Sequence, residues 1–164
     1  MPLRFGILTV SDRSARGERP DASGPALADR IRAEGWEIAT QEIVPDDFNA
    51  LRATLSGWAD AGGLDIILTT GGTGFAPRDI TPEATRSVID REAPGLAEAM
   101  RLASAAKSRH AMLSRAIAGL RGPVLIINLP GSPKAAVENL ETVLPALQHA
   151  VELLKEDPNA EAGH

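Results

Sequence analysis

The sequence predicts an α/β sandwich built around a mostly parallel sheet. Short apolar runs alternate with longer segments whose apolar residues recur every three or four positions. Polar loops carrying glycine or proline separate the two kinds of segment. That alternation of strand and helix is the pattern of parallel strands joined by helical crossovers.

The elements follow in order. Residues 3–10, LRFGILTV, read as a buried strand, and residues 11–23, SDRSARGERPDAS, as a polar loop. A helix is expected from Pro25 to Glu34, because Leu27 and Ile31 share a face and Pro25 suits a first turn; Gly35 ends it. WEIATQEIV, 36–44, reads as the second strand, and Pro45-Asp46-Asp47 supplies a turn and an N-cap. Phe48, Leu51, Leu55 and Trp58 mark the next helix, broken by Gly62-Gly63. DIILTT, 65–70, is the third strand. It runs into Gly71, Gly72 and Gly74, and regular structure resumes at Thr81-Pro82-Glu83. There Thr81 reads as N-cap, Pro82 as the first helical position and Glu83 as a first-turn acid, with the helix reaching Arg91. A further helical stretch covers LAEAMRLASAA, 96–106. RAIAGL, 115–120, reads as a strand turned by Arg121-Gly122-Pro123 into the apolar strand VLIINL, 124–129. After PGSPKA, 130–135, the last helix carries Val137, Leu140, Leu144, Leu147, Val151 and Leu154 on one stripe. Residues 1–155 are read as one domain and 156–164 as a polar tail expected to fray.

Composition narrows the function classes. The chain has 164 residues, enough for one domain with a sizeable core. No apolar run approaches the roughly 18–20 residues of a membrane span, and the N-terminus enters a strand without a signal-peptide pattern. The absence of cysteine excludes a thiolate nucleophile and Cys-ligated zinc, and fits a cytoplasmic setting. Seventeen basic and twenty-two acidic residues, no basic block and few aromatics argue against nucleic acid.

Ligands of such folds bind outside the carboxyl ends of the strands. Three loops leave strand ends, Ser11–Ser23, Thr70–Ile80 and Pro130–Lys134, and the turn at 45–47 is a fourth. In a parallel sheet all four lie along one rim. Gly71, Gly72 and Gly74 let backbone N–H groups approach an anion, and the Thr69, Thr70 and Thr73 hydroxyls flank them. A tight turn explains one glycine, whereas three favour a phosphate cradle. The loop is neither a P-loop, for the chain has no Gly-Lys pair, nor a G-x-G-x-x-G fingerprint. Asp79 beside such a cradle repels phosphate unless a cation intervenes. Two roles stay open for it: accepting loop N–H groups, or holding Mg²⁺ that also contacts phosphate. Asp46 poses the same choice, with N-capping as its bland role. Ser132-Pro133 resembles a cap and first-turn proline, Gly131 permits close backbone approach, and Lys134 either meets an anion or is solvated. Ser11, Asp12, Arg13 and the Asp21–Gly24 stretch place polar groups on the first rim loop. His110, His149 and His164 share no metal-ligand spacing; His149 reads as helix surface and His164 as tail.

TTGGTGFAPRDITPEAT, 69–85, followed by LPGSPKA, 129–135, resembles the Mog/MoaB-like family of molybdenum cofactor biosynthesis proteins. SDRS with DASGPAL, APGLAEAMR and LSRAIAGLRG are similar to that family in the same order, from residue 5 to about residue 150. Leu113-Ser114-Arg115 and Asn128-Leu129-Pro130-Gly131 resemble the Mog branch more than the MoaB branch. The resemblance implies a three-layer α/β/α fold, a homotrimer, and transfer of AMP from Mg²⁺-bound ATP to the terminal phosphate of molybdopterin with release of pyrophosphate. A molybdate-insertion enzyme is the implied partner. The resemblance places the two catalytic, Mg²⁺-holding acids on Asp46, preferred over Asp47, and Asp79. It places phosphate binding on Gly71, Gly72, Thr73 and Gly74. Thr70, Ser11, Asp12, Arg13, Pro130, Gly131, Ser132 and Lys134 complete the candidate substrate set. The attacking phosphate is already anionic near neutral pH, so no Ser, Cys or His nucleophile is needed. The alternative is a non-catalytic molybdopterin carrier or scaffold.

Overall fold

Five consecutive residues of β3 (Ile66–Thr70) are buried, because this strand has helices on both of its faces. Successive side chains leave a strand on opposite sides. Ile66 and Leu68 therefore enter one core and Ile67 the other. The computed structural model describes residues 1–161. Its six-stranded sheet has the order β2-β1-β3-β6-β5-β4. β2 (Glu37–Val44), β1 (Arg4–Val10), β3 and β6 (Val124–Leu129) are mutually parallel. β5 (Ala118–Arg121) runs antiparallel to β6, and β4 (Arg91–Glu92) antiparallel to β5.

Helices cover both faces. α2 (Ser23–Ala33), α5 (Pro94–Ala105) and α6 (Pro133–Leu154) pack on the face of Phe5, Ile7, Leu125 and Ile127. α3 (Phe48–Asp60) and α4 (Thr81–Arg86) pack on the face of Leu8, Val10, Val124 and Ile126. The stripes read from sequence are the buried ones: Leu27 and Ile31 in α2, Leu51 and Leu55 in α3, Leu140 and Leu147 in α6, all at 0% exposure. Full burial of each such side chain contributes about 1.5–3 kcal/mol. This is the expected three-layer α/β/α sandwich.

Four local expectations are corrected. The loop at 11–23 contains one helical turn, α1 (Asp12–Ala15), capped by the Ser11 hydroxyl, which accepts from Ser14 N at 3.2 Å. The helix expected to reach Arg91 stops at Arg86, because Arg91 and Glu92 pair with Leu120 and Gly119 instead. The strand expected at 115–120 starts at Ala118, after a 3₁₀ turn (Arg109–Leu113), since Arg115 is engaged with the glycine loop. The tail expected to fray is folded back at its described part: Ala160 is 2% exposed. Lys155 Nζ, just before that tail, lies 2.7 Å from Asp65 Oδ1. His164 falls outside the described residues. Among those residues, no helix is long and apolar enough to cross a membrane.

Candidate active site

The parallel strands β2, β1, β3 and β6 end on one rim, and their loops surround a cavity of about 880 Å³. Each loop is held by its own chemistry. After β2, the Asp47 carboxylate caps α3 by accepting from Ala50 N at 2.8 Å. The preceding Asp46 is thereby left to line the cavity. Of the two adjacent acids, Asp47 is the helix cap and Asp46 the one that lines the cavity. The Asp46 Oδ2 accepts from Asp12 N at 3.0 Å while Asp46 N donates to Asp12 Oδ1 at 2.8 Å. This reciprocal pair ties the loop after β1 to the loop after β2.

The loop after β3 carries the glycines. Gly71 has φ 104° and Gly72 φ 70°, a region closed to most side chains. Space requires glycine as well: a Cβ on Gly71 would stand 2.4 Å from the Val10 carbonyl oxygen, and one on Gly72 2.3 Å from Thr81 Oγ1. Thr81 is not the expected N-cap. Ile80 holds that position, and the buried Thr81 hydroxyl donates to Gly71 O at 2.9 Å. Thr70 is similarly committed inward, its hydroxyl donating to Pro130 O at 2.7 Å. Gly71 N donates to Leu129 O, so that amide is already used. Among the described residues, the amides of Gly72, Thr73 and Gly74 have no acceptor in the chain.

Asp79 lies at the far end of this loop and lines the same cavity as Asp46. Its Oδ2 accepts from Ala76 N at 3.0 Å, so the reading in which Asp79 bonds a loop amide is realised. Its other oxygen accepts no hydrogen bond from the described residues. Across the site, Ser132 caps α6 by accepting from Ala135 N at 3.2 Å. Gly131 presses against Gly71, where a Cβ would lie 3.3 Å from Gly71 Cα.

The electrostatics set Asp46 apart. Burial pushes its pKa above the ordinary aspartate value. The neighbouring Asp12 and Asp79 charges add to the rise, against the Asp12 amide and the Arg78 guanidinium. Like charges gathered here suit a cation. Among the described residues no three His, Cys, Asp or Glu groups form a cage for a metal by themselves. Two carboxylates shared with substrate phosphates are, however, the usual donor set for Mg²⁺. Asp46 and Asp79 fit that set.

The structure divides the other expected residues between two cavities. Ser11, Asp12, Arg13, Thr70, Gly71, Gly72, Gly131 and Ser132 line the first with Asp46 and Asp79. Thr73, Gly74 and Pro130 line a second cavity of about 560 Å³, beside Phe75, Leu113 and Arg101. Lys134 stands exposed in the first turn of α6, outside both linings. Residues 71–74 and 130–135 thus form the wall between the cavities. Sequence reasoning missed Arg16, Arg19 and Arg78, which also line the first cavity. Arg16 pairs with Glu18 at 2.8 Å. Arg13, Arg19 and Arg78 have no ion-pair partner among the described residues. Asp21, named only within a polar stretch, accepts from the Thr9 hydroxyl at 2.8 Å and from Gly24 N at 3.1 Å. The acid two residues before a helix was a capping signal that could have found it.

Comparison with known proteins identifies the family. The family described as a probable molybdopterin binding domain matches residues 6–149. A molybdopterin adenylyltransferase of Helicobacter pylori J99 is 41% identical over 93% of this chain and 88% of its own length. The molybdenum cofactor synthesis protein cinnamon of Drosophila melanogaster is 43% identical over 94% of this chain. The chain spans only 26% of cinnamon and 23% of a Dictyostelium discoideum gephyrin. Among solved structures, the molybdopterin biosynthesis enzyme MoaB of Thermus thermophilus superposes with a TM-score of 0.89 at 54% identity, covering 94% of this chain and 98% of that one. A MogA structure gives 0.87 at 38% identity, covering 92% and 99%. The match across most of the chain, at high identity and with the same fold, shows that this chain belongs to the molybdopterin-binding domain family of molybdenum cofactor biosynthesis.

Proposed function

We propose that the chain is a molybdopterin adenylyltransferase, transferring AMP from Mg²⁺-bound ATP to the terminal phosphate of molybdopterin. The observation that carries the reading is one cavity in which Asp46 and Asp79 lie beside a glycine loop with unpaired amides. A phosphate monoester is largely dianionic at pH 7, its second pKa being about 6. A terminal phosphate oxygen attacks the α-phosphorus of ATP, the bond from that phosphorus to the bridging oxygen breaks, and pyrophosphate leaves with the electron pair. The protein's task is to bring two anions together and stabilise the charge that develops.

The residues suit that task. The amides of Gly72, Thr73 and Gly74 sit in the wall between the two cavities, where they can hold a phosphate at the meeting of two substrates. Arg13, Arg19 and Arg78 line the first cavity and offer positive charge to the nucleotide phosphates, Arg78 also acting on the Asp46 carboxylate. Asp46 and Asp79 would hold Mg²⁺, which when bound neutralises phosphate oxygens. Asp12 keeps Asp46 in place through their paired hydrogen bonds. The same proposal has the chain work as a homotrimer in the cytoplasm and deliver its product to a molybdate-insertion enzyme. Exposed Phe75, Met112 and Leu113 offer apolar surface for assembly.

Pyrophosphate release from ATP, measured with and without molybdopterin, tests the reading. Release that needs both substrates is expected. Tight molybdopterin binding without release would make the chain a carrier, and phosphate release from ATP alone would make it a hydrolase.

A further inference from the structure

Arg115 holds the Asp79 loop from behind. Its backbone N donates to Thr73 O at 2.8 Å. Its Nε donates to Gly74 O at 2.8 Å and its Nη2 to Asp79 O at 2.7 Å. Its Nη1 pairs with the Glu83 carboxylate in the first turn of α4. Four donors of one residue thus span the loop from its glycine end to the helix that follows. Arg115 lines neither cavity. We propose that Arg115 is a positioning residue for the reaction: by fixing the carbonyls of Gly74 and Asp79 it aims the Asp79 carboxylate into the first cavity.

The local geometry explains the need. The segment 76–79 closes on itself, Asp79 N donating to Ala76 O at 2.9 Å and Asp79 Oδ2 accepting from Ala76 N at 3.0 Å. Those two bonds shape the turn without fixing it to the rest of the molecule. Thr81 anchors the loop on one side through Gly71 O and Gly72 O. Arg115 is the anchor for Gly74 and Asp79 themselves. A planar guanidinium reaches three acceptors in fixed directions, whereas a lysine ammonium is a compact charge on a flexible stem. Keeping the charge is therefore insufficient to keep the geometry.

The proposal rests on the adenylyltransferase reading, and two measurements keep the failures apart. The first is amide hydrogen exchange on Arg115→Lys without substrates. Faster exchange at Ala76 and Asp79, with β3 and β6 amides unchanged, is expected. Unchanged exchange at Ala76 and Asp79 would overturn the anchoring, whatever the activity. The second is single-turnover AMP transfer in a double-mutant cycle. Arg115→Lys is expected to slow transfer by tenfold to about a hundredfold, the scale of an ångström of misplacement. Molybdopterin affinity should be nearly unchanged. In an Asp79→Asn background the same substitution should have little further effect. Equal losses in both backgrounds would overturn the positioning role. A native protein without AMP transfer would instead sink the adenylyltransferase reading and leave the exchange test standing. Should Arg115→Lys fail to fold, Glu83→Ala removes one anchor only. It should produce the same local exchange and the same non-additivity at smaller amplitude, and global loss of protection would count against the proposal.

Discussion

Asp46 and Asp65 stand at opposite ends of one sheet and are treated in opposite ways. Asp65 precedes β3, is 7% exposed, and has both oxygens taken. Lys155 Nζ lies 2.7 Å from Oδ1, and Arg4 N donates to Oδ2 at 2.8 Å. Asp46 follows β2 at the other rim, where Asp12 and Asp79 are neighbouring negative charges and Arg78 is the opposing cation. Its carboxyl is held above the usual aspartate range, by burial first and by those charges next. A carboxylate matched by the chain's own cation serves the architecture. One set among like charges lowers stability when ionised, and under the proposed function a bound cation would compensate it. The same residue type thus reports two functions according to who supplies the counter-charge.

The largest effect is expected at the ligand rim. Asp79→Asn keeps the shape and the hydrogen bond from Ala76 N but removes the charge. Single-turnover AMP transfer should fall by about 10²–10³, while molybdopterin affinity falls much less. Loss of pterin binding with full turnover at saturation would make Asp79 a pterin contact. A subtler perturbation is Gly74→Ala. Gly74 is not in the left-handed region, and an added Cβ would lie 2.9 Å from Asp79 Oδ2. The carboxylate must shift, so transfer should slow by up to about 10²-fold with little change in melting temperature. Gly72→Val is a poorer probe, because φ 70° and the buried Thr81 hydroxyl tie that position to the fold.

The rim side of this contrast was legible in the sequence, whereas Asp65 drew no reading of its own. The inner strands β1, β3 and β6 announced themselves as short apolar runs, and the rim loops followed from the strand ends. The strand ends placed Asp46 and Asp79 on that rim with their roles open, and the family resemblance made them the candidate acids. What stayed hidden depends on contacts distant in the chain. Thr81-Pro82-Glu83 has the composition of a helix start, yet Thr81 serves a carbonyl ten residues away. β4 has two residues and no pattern of its own, existing only because β5 lies beside it. The contacts of Arg115 carry no local signal, since the acceptors of its side chain lie 32 to 41 residues earlier. Arg13 was named from the sequence, whereas Arg16, Arg19 and Arg78 of the same cavity were missed.

At the architectural rim, Asp65→Asn should affect stability alone. It leaves the Arg4 amide an acceptor but deprives Lys155 of its partner, so a loss of about 1–3 kcal/mol is expected in chemical denaturation. Transfer at saturating substrate should stay native. A comparable loss of rate would erase the distinction between the two ends.

The smallest effect is a pH dependence. Asp46 has a folded pKa above its unfolded value, so its neutral form favours the fold. That contribution is fully present below the unfolded pKa and disappears as pH rises through the folded one. Asp46→Asn stays neutral throughout. Its melting temperature should therefore gain on the native protein as pH rises from the acid side of the carboxylate range to neutrality. A gap that shrinks with rising pH would mean that Asp46 is stabilised as the anion.

The most direct test places the two acids side by side: single-turnover AMP transfer by Asp46→Asn and Asp65→Asn, at saturating Mg²⁺-ATP and molybdopterin. The account predicts a fall of about 10²–10³ for Asp46→Asn and a rate close to native for Asp65→Asn. A near-native rate for Asp46→Asn, or equal losses in the two variants, would contradict it.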